Sequence, residues 1–215
     1  MNFKVTDDPN HTLNKILKEF DSQDPQERVA CIKRLGQMEI QIEDFPMNLH
    51  IKLEEALLDS NEEIRKEAAI ALAFLEGEVA IPLLEPLLDD SSQSVRSNTI
   101  SAFGYIGIRP PEDVIKKMMN FLHSSDSDEI RDRCARTLGR LKIYQAKDPL
   151  LRLAQEDSSP TVRGGAVVAL GMLKGDLQLK KEIAQLLESE TAAPVLSLLR
   201  ETLALIEAHL DQTES

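Results

Sequence analysis

Apolar residues in this chain recur at intervals of three and four, and a longer period is laid over that helical one. The repeating motif is an aliphatic residue, then Arg, and, counted from that Arg, a small residue at the third position, an apolar one at the seventh, Gly or Ala at the eighth and an apolar one at the tenth. Clear copies are Ile64-Arg65 with Ala68, Leu72, Ala73 and Leu75, and Val95-Arg96 with Thr99, Phe103, Gly104 and Ile106. Two more are Ile130-Arg131 with Cys134, Leu138, Gly139 and Leu141, and Val162-Arg163 with Ala166, Leu170, Gly171 and Leu173. A first copy opens on Glu27-Arg28 and continues through Cys31, Leu35, Gly36 and Met38. A sixth carries Leu196 in place of the Arg, with Val195, Leu203, Ala204 and Ile206. Positions 28, 65, 96, 131, 163 and 196 are spaced 37, 31, 35, 32 and 33 residues apart, enough for two helices and two turns per copy.

The spacing predicts first helices near 11–20, 46–58, 79–88, 111–123, 147–155 and 177–188. Second helices are expected near 25–38, 61–75, 93–107, 127–142, 160–173 and 192–209. Alternation at period two is nowhere sustained, so no strands are expected. Five to seven residues ahead of each anchor stands an acid: Asp21, Asp59, Asp90, Asp126, Asp157 and Glu190. With nearby Ser60, Ser91, Pro25 and Pro160 these read as the turn and N-cap of each second helix. The acids and the anchor arginines are placed to bond across neighbouring repeats as a ladder of charge-assisted hydrogen bonds. Leu196 then suits a terminal repeat, which has no following neighbour to pair with.

The acidic turn followed by Val/Ile-Arg, as in Asp90 to Val95-Arg96 and Asp157 to Val162-Arg163, and the run Ala169-Leu170-Gly171, resemble the HEAT repeats. They are most similar to the short HEAT-like class named after phycobilisome lyases. The resemblance covers nearly the whole chain after residue 10 and implies an all-α fold, an α-solenoid wound as a right-handed superhelix of about six helix pairs. The domain reading is a polar tail over 1–10, one solenoid domain over 11–210 and a polar tail over 211–215. Tetratricopeptide arrays would need a Trp and aromatic pattern, and ankyrin repeats a Thr-Pro-Leu-His signature, which this chain lacks.

Composition narrows the function. Hydrophobic residues make up 42% of the chain but aromatics only 4%, with no Trp, so the core is built of Leu, Ile, Val and Ala. A formal charge of −12 argues against nucleic acid as main partner, because that binding draws its affinity from cations on phosphates. Two cysteines, too few for a disulfide framework, make the reducing cytoplasm the expected setting, and the acidic, polar N-terminus and the lack of a roughly 20-residue apolar run give no signal for secretion or a membrane partner.

Catalytic chemistry is sparse. His11, His50, His123 and His209 are scattered, and none is followed by Glu, unlike the repeated His-Glu pairs that hold two irons in deoxyhypusine hydroxylase, a HEAT-type enzyme. Cys31 and Cys134 take the small third position of their repeats and read as packing residues. Gly164-Gly165, in the first turn of a helix, lose roughly 1 kcal/mol of helix propensity each. Either close helix packing or the approach of a ligand offsets that loss.

Second helices of such an array line its concave face, and equivalent positions form stripes. Offsets two, five and nine from the anchors give Glu67, Ile70 and Phe74, then Asn98, Ser101 and Tyr105, then Arg133, Arg136 and Arg140, then Gly165, Val168 and Met172. The candidate partner-binding set is Ile70, Phe74, Asn98, Ser101, Tyr105, Arg133, Arg136, Arg140, Val168 and Met172. Aromatic and Arg residues together are the types that dominate interface hot spots, and an Arg row suits carboxylates or phosphates. Alternatively, Arg133 and Arg136 simply pair with Asp128, Glu129 and Asp132 along their own helix. The expected function is a non-catalytic scaffold or adaptor for another protein or peptide, acidic where it meets the arginines, with no cofactor and no metal. The alternative is a HEAT-like bilin lyase or tetrapyrrole chaperone, with the arginines on propionates and Phe74 and Tyr105 stacked on the ring.

Overall fold

Helices form where the three-and-four spacing places them. A computed structural model describes residues 9–37, 47–124, 127–173 and 175–213, and these fall into two compact units that divide after Ile106. No strand occurs among the described residues.

In the first unit, α1 (Pro9–Phe20) pairs with α2 (Pro25–Leu35), and α3 (Met47–Leu57) with α4 (Glu62–Leu75). The third pair departs from expectation. Instead of one helix near 79–88, a 3₁₀ turn (Gly77–Ala80), a four-residue helix α5 (Ile81–Leu84) and a second 3₁₀ turn (Glu85–Asp89) lead to α6 (Gln93–Ile106). Pro82 and Pro86 explain this, since each lacks the N–H that a continuous helix would use and its ring crowds the preceding turn.

In the second unit, α7 (Glu112–Ser124) pairs with α8 (Asp128–Arg140), and α9 (Lys147–Glu156), entered through a 3₁₀ turn at Tyr144–Ala146, pairs with α10 (Pro160–Met172). The last pair is α11 (Leu177–Ser189) with α12 (Ala193–Thr213), the latter running past its expected end near 209.

The repeat positions are the core. At the third and seventh positions, Cys31, Leu35, Ala68, Leu72, Thr99, Phe103, Cys134, Leu138, Ala166 and Leu170 are all buried. Each fully buried Leu or Phe contributes roughly 1.5–3 kcal/mol relative to exposure. Met38 lies outside the described residues.

The expected ladder is present in both units. Arg65 Nε and a terminal N–H donate to the two oxygens of Asp90 at 2.7 and 2.8 Å. Arg131 does the same with Asp157 at 2.7 and 3.1 Å, and Arg163 with Glu190 at 2.7 and 2.8 Å. A second arm turns back onto the repeat's own turn: Arg65 donates to the Asp59 carbonyl, Arg96 to that of Asp90 and Arg163 to that of Asp157. Arg28 holds Asp59 through one N–H only, at 2.5 Å.

The acids are not themselves the N-caps. Asn61 caps α4 and Ser127 caps α8, while Asp59, Asp90 and Asp157 each accept the backbone N–H two residues on, at 2.8, 2.8 and 2.9 Å. Each acid thus folds the turn that precedes the helix and receives an Arg from the repeat before it. Asp21 stands apart, paired with Lys52, and the capping of α2 falls to Asp24. Asp126 lies outside the described residues.

Candidate interaction surface

In the first unit, the stripe on α4 and α6 presents Phe74 and Tyr105, 56% and 45% exposed. Their rings stack with centroids 4.9 Å apart and planes at 26°. Both stand on the last turn of their helices, so the C-terminal ends of α4 and α6 lie side by side beneath the pair. Ile70 is half-buried on the same face of α4. Asn98 is half-buried too, and its amide donates to the Ser94 carbonyl one turn earlier at 2.9 Å. Ser101 corrects the expectation of an exposed position. It is 8% exposed and its hydroxyl donates to the Ser97 carbonyl at 3.2 Å. α4 and α6 pack on one another, and the small Ser97, Thr99, Ser101 and Ala102 of α6 are all buried.

In the second unit, α8 exposes Arg133, Arg136 and Arg140, while on α10 Val168 is half-buried and Met172 is 42% exposed. Arg136 is committed within its own helix, its Nε donating to both oxygens of Asp132 at 2.8 and 3.0 Å. Burial pushes the Asp132 carboxyl upward against the pull of Arg136, so the guanidinium is there to compensate a half-buried acid. Part of the expected Arg row is therefore intrahelical pairing.

Gly165 is buried, not exposed, and resolves the choice left open for the glycine pair. A Cβ there would meet Asp132 Oδ1 at 2.0 Å, and one at Gly164 would meet a Leu198 methyl at 3.0 Å. Both glycines serve helix packing, and Gly165 makes room for the Asp132–Arg136 pair.

The cysteines are equally structural. Cys31 is fully buried, its thiol donates to the Ile16 carbonyl at 3.3 Å, and burial pushes it up to about 12. Cys134 is fully buried and shifted in the same direction for the same reason. A thiol so held stays protonated at neutral pH and is no nucleophile.

One cluster escaped the sequence reading. His50 on α3 shares a hydrogen bond of 2.7 Å with Glu76, which is 6% exposed at the end of α4, and lies 3.1 Å from Glu54. The bond to Glu76 raises the His50 pKa. Only the i,i+4 spacing of His50 and Glu54 hinted at it. Among the described residues no three His, Cys, Asp or Glu side chains group as a metal site, and no helix is long and apolar enough to cross a membrane. A cavity of about 400 Å³ opens beside the single-bonded rung, between Arg28, Lys52 and Asp59, away from the stripe.

A family model for HEAT repeats matches residues 13–104 and 115–204. The chain is 31% identical over 104 residues to a deoxyhypusine hydroxylase of Arabidopsis thaliana, a match over 47% of this chain and 32% of that protein. It spans at most 32% of the length of the curated relatives it matches. Among solved structures it resembles the complex of CpcE and CpcF of phycocyanin lyase from Nostoc sp., with a TM-score of 0.65 at 17% identity over 97% of this chain and 81% of that one. It also resembles a designed armadillo repeat protein in complex with a (KR)4 peptide, with a TM-score of 0.60 at 21% identity over 90% of this chain and 99% of that one.

Proposed function

The chain belongs to the HEAT-repeat family, and from that premise we propose that it is a non-catalytic interaction module, one functional domain over residues 11–210, that holds another protein on its second helices. The observation that carries this is the stacked, solvent-facing pair Phe74 and Tyr105. Aromatic rings left half in water at a fixed spacing are interface groups more than core groups. Family membership fits, since stacked repeats present extended binding faces. The buried, protonated thiols and the paired anchor arginines speak for a binding role over a covalent one. A cytoplasmic setting and a protein partner in place of nucleic acid remain part of the proposal, resting on the net charge of −12.

Affinity capture from the native extract tests it, with the wild-type chain beside Phe74→Ala/Tyr105→Ala and beside Arg133→Glu. A protein held by the wild type and lost from the aromatic double variant is expected. If every captured protein persists on both variants, neither face binds a partner and the proposal fails.

The rival reading, a tetrapyrrole-handling protein, draws on the likeness of fold to the phycocyanin lyase complex and on the ring stack. Adding an open-chain tetrapyrrole and recording its absorption separates the two, because a bound pigment would shift and a protein-binding module would leave the spectrum unchanged.

A further inference from the structure

Residues 1–106 contain 20 acidic and 10 basic side chains, whereas residues 107–215 contain 17 and 15. Nearly all of the net negative charge therefore sits in the unit that also carries the stacked aromatic pair. Locally the charge is uneven along α4. Toward its start, Glu63 and Glu67 are met by Lys33 and Lys66. Toward its end, under the rings, no basic residue occupies the last turn of α4 or of α6.

Helix C-termini carry unsatisfied carbonyls and a partial negative charge, ordinarily complemented by Lys or Arg. In the same unit α2 follows that rule with Lys33 and Arg34 in its last turn, whereas α3, like α4 and α6, has no basic residue there; only at α4 and α6 does an exposed aromatic stack lie over the helix ends. The chain leaves α4 at Gly77, which has a positive φ of 54°, and goes on through Glu78, which is exposed. Two adjacent helix ends with no Lys or Arg in their last turns, two exposed ring faces and a flanking carboxylate share one chemical preference, for a planar cation, and the His50 imidazole beside the end of α4 is already held by Glu76 and Glu54.

Resting on the interaction-module reading, we infer that the Phe74–Tyr105 stack, over the C-terminal ends of α4 and α6, is a docking point for an arginine side chain of a basic partner segment. The guanidinium lies against the rings by cation–π contact while its N–H groups face the helix-end carbonyls. Lysine, without a planar face, binds less well there. This sets the first unit's preference opposite to the acidic partner expected from the arginines of α8.

The test uses the full chain and a short synthetic arginine-glycine peptide, with lysine and glutamate versions as comparisons, followed by calorimetric titration at low and moderate salt. The arginine peptide should bind, the lysine peptide more weakly and the glutamate peptide not at all. Phe74→Ala/Tyr105→Ala should weaken arginine-peptide binding by roughly tenfold or more, as expected from losing a desolvated cation–π contact. Tyr105→Lys gives a second exposed substitution that places a competing cation at the site, with folding checked by circular dichroism. Equal binding of the arginine peptide to wild type and both variants, or of the arginine and lysine peptides to wild type, overturns the inference. A captured partner that is lost from the aromatic double variant but not displaced by the arginine peptide would overturn it while leaving the interaction module standing.

Discussion

The two units are built to one repeat pattern yet pack by different means. In residues 107–215 helices meet where side chains are missing. A Cβ at Gly139 would stand 2.6 Å from the Ala169 Cα and 2.9 Å from its carbonyl oxygen, and one at Gly175 would stand 2.7 Å from Ile206. In residues 1–106 α4 buries Ala68, Ala69, Ala71 and Ala73, with Gly104 buried on α6, and at Gly36 a Cβ would stand 3.3 Å from the Ala71 Cα, a tight contact relieved by a shift of a few tenths of an ångström. The eighth repeat position is thus interchangeable between Gly and Ala by sequence rule but not in space. The pattern states that a small residue is needed, while the local interhelix distance decides how small.

The sharpest way to break that comparison is one methyl group placed at equivalent positions. Gly139→Ala should destabilise by about 3 kcal/mol or more, because the clash is with backbone that cannot yield. Gly36→Ala should be close to neutral, mild crowding offset by a gain in helix propensity of up to about 1 kcal/mol. Urea denaturation of both variants decides it, and equal losses would mean that the two units are packed alike.

Next in size are the rungs. Arg163→Ala removes a bidentate partner from Glu190, which is 7% exposed, and should cost about 2–3 kcal/mol. The bond to Arg163 holds the Glu190 pKa at about 2, below its usual 4.5. With the folded value depressed, this contribution is complete above pH 4.5 and is lost as pH falls toward 2. In the first unit His50 behaves in the opposite sense. Its folded pKa is raised by Glu76, so its contribution is present below 6.5 and lost as pH rises through the folded value. Stability measured against pH should therefore lose part of its acid limb in Glu190→Gln and part of its slope above pH 6.5 in His50→Gln. A curve unchanged by either variant would remove that rung or that pair from the stability account.

A smaller effect is expected at Arg136. Without it, Asp132 keeps a half-buried charge with only the weaker pull of Arg133 in its own helix, so Arg136→Ala should cost roughly 1 kcal/mol at pH 7, solvent screening included. That cost should shrink at low pH, where Asp132 protonates, because its folded pKa is raised by burial. Pairing it with Asp132→Asn in a double-mutant cycle isolates the coupling. The smallest change belongs to the exposed rings: Tyr105→Ala should shift stability by less than about 1 kcal/mol. A large loss in thermal unfolding would move Tyr105 from the binding face to the core.

Much of this protein was legible without coordinates. Periodic apolar residues set the six helix pairs, and the Arg and turn-acid pattern foretold the rungs from Arg65 to Asp90, Arg131 to Asp157 and Arg163 to Glu190. Those features arise from interactions that repeat with the period of the chain, so one dimension suffices to see them. The stripe was read less well. Phe74, Tyr105, Arg133, Arg140 and Met172 are exposed, but Ser101 is buried, Arg136 is half-spent on Asp132 and Gly165 lies against a carboxylate. Exposure within a repeat depends on how closely the neighbouring helix approaches, and that distance is set by side chains about 30 residues away. The identity of each helix was therefore local information, whereas which of its faces remained open, and where a charge found its partner, was decided only when the pairs stacked.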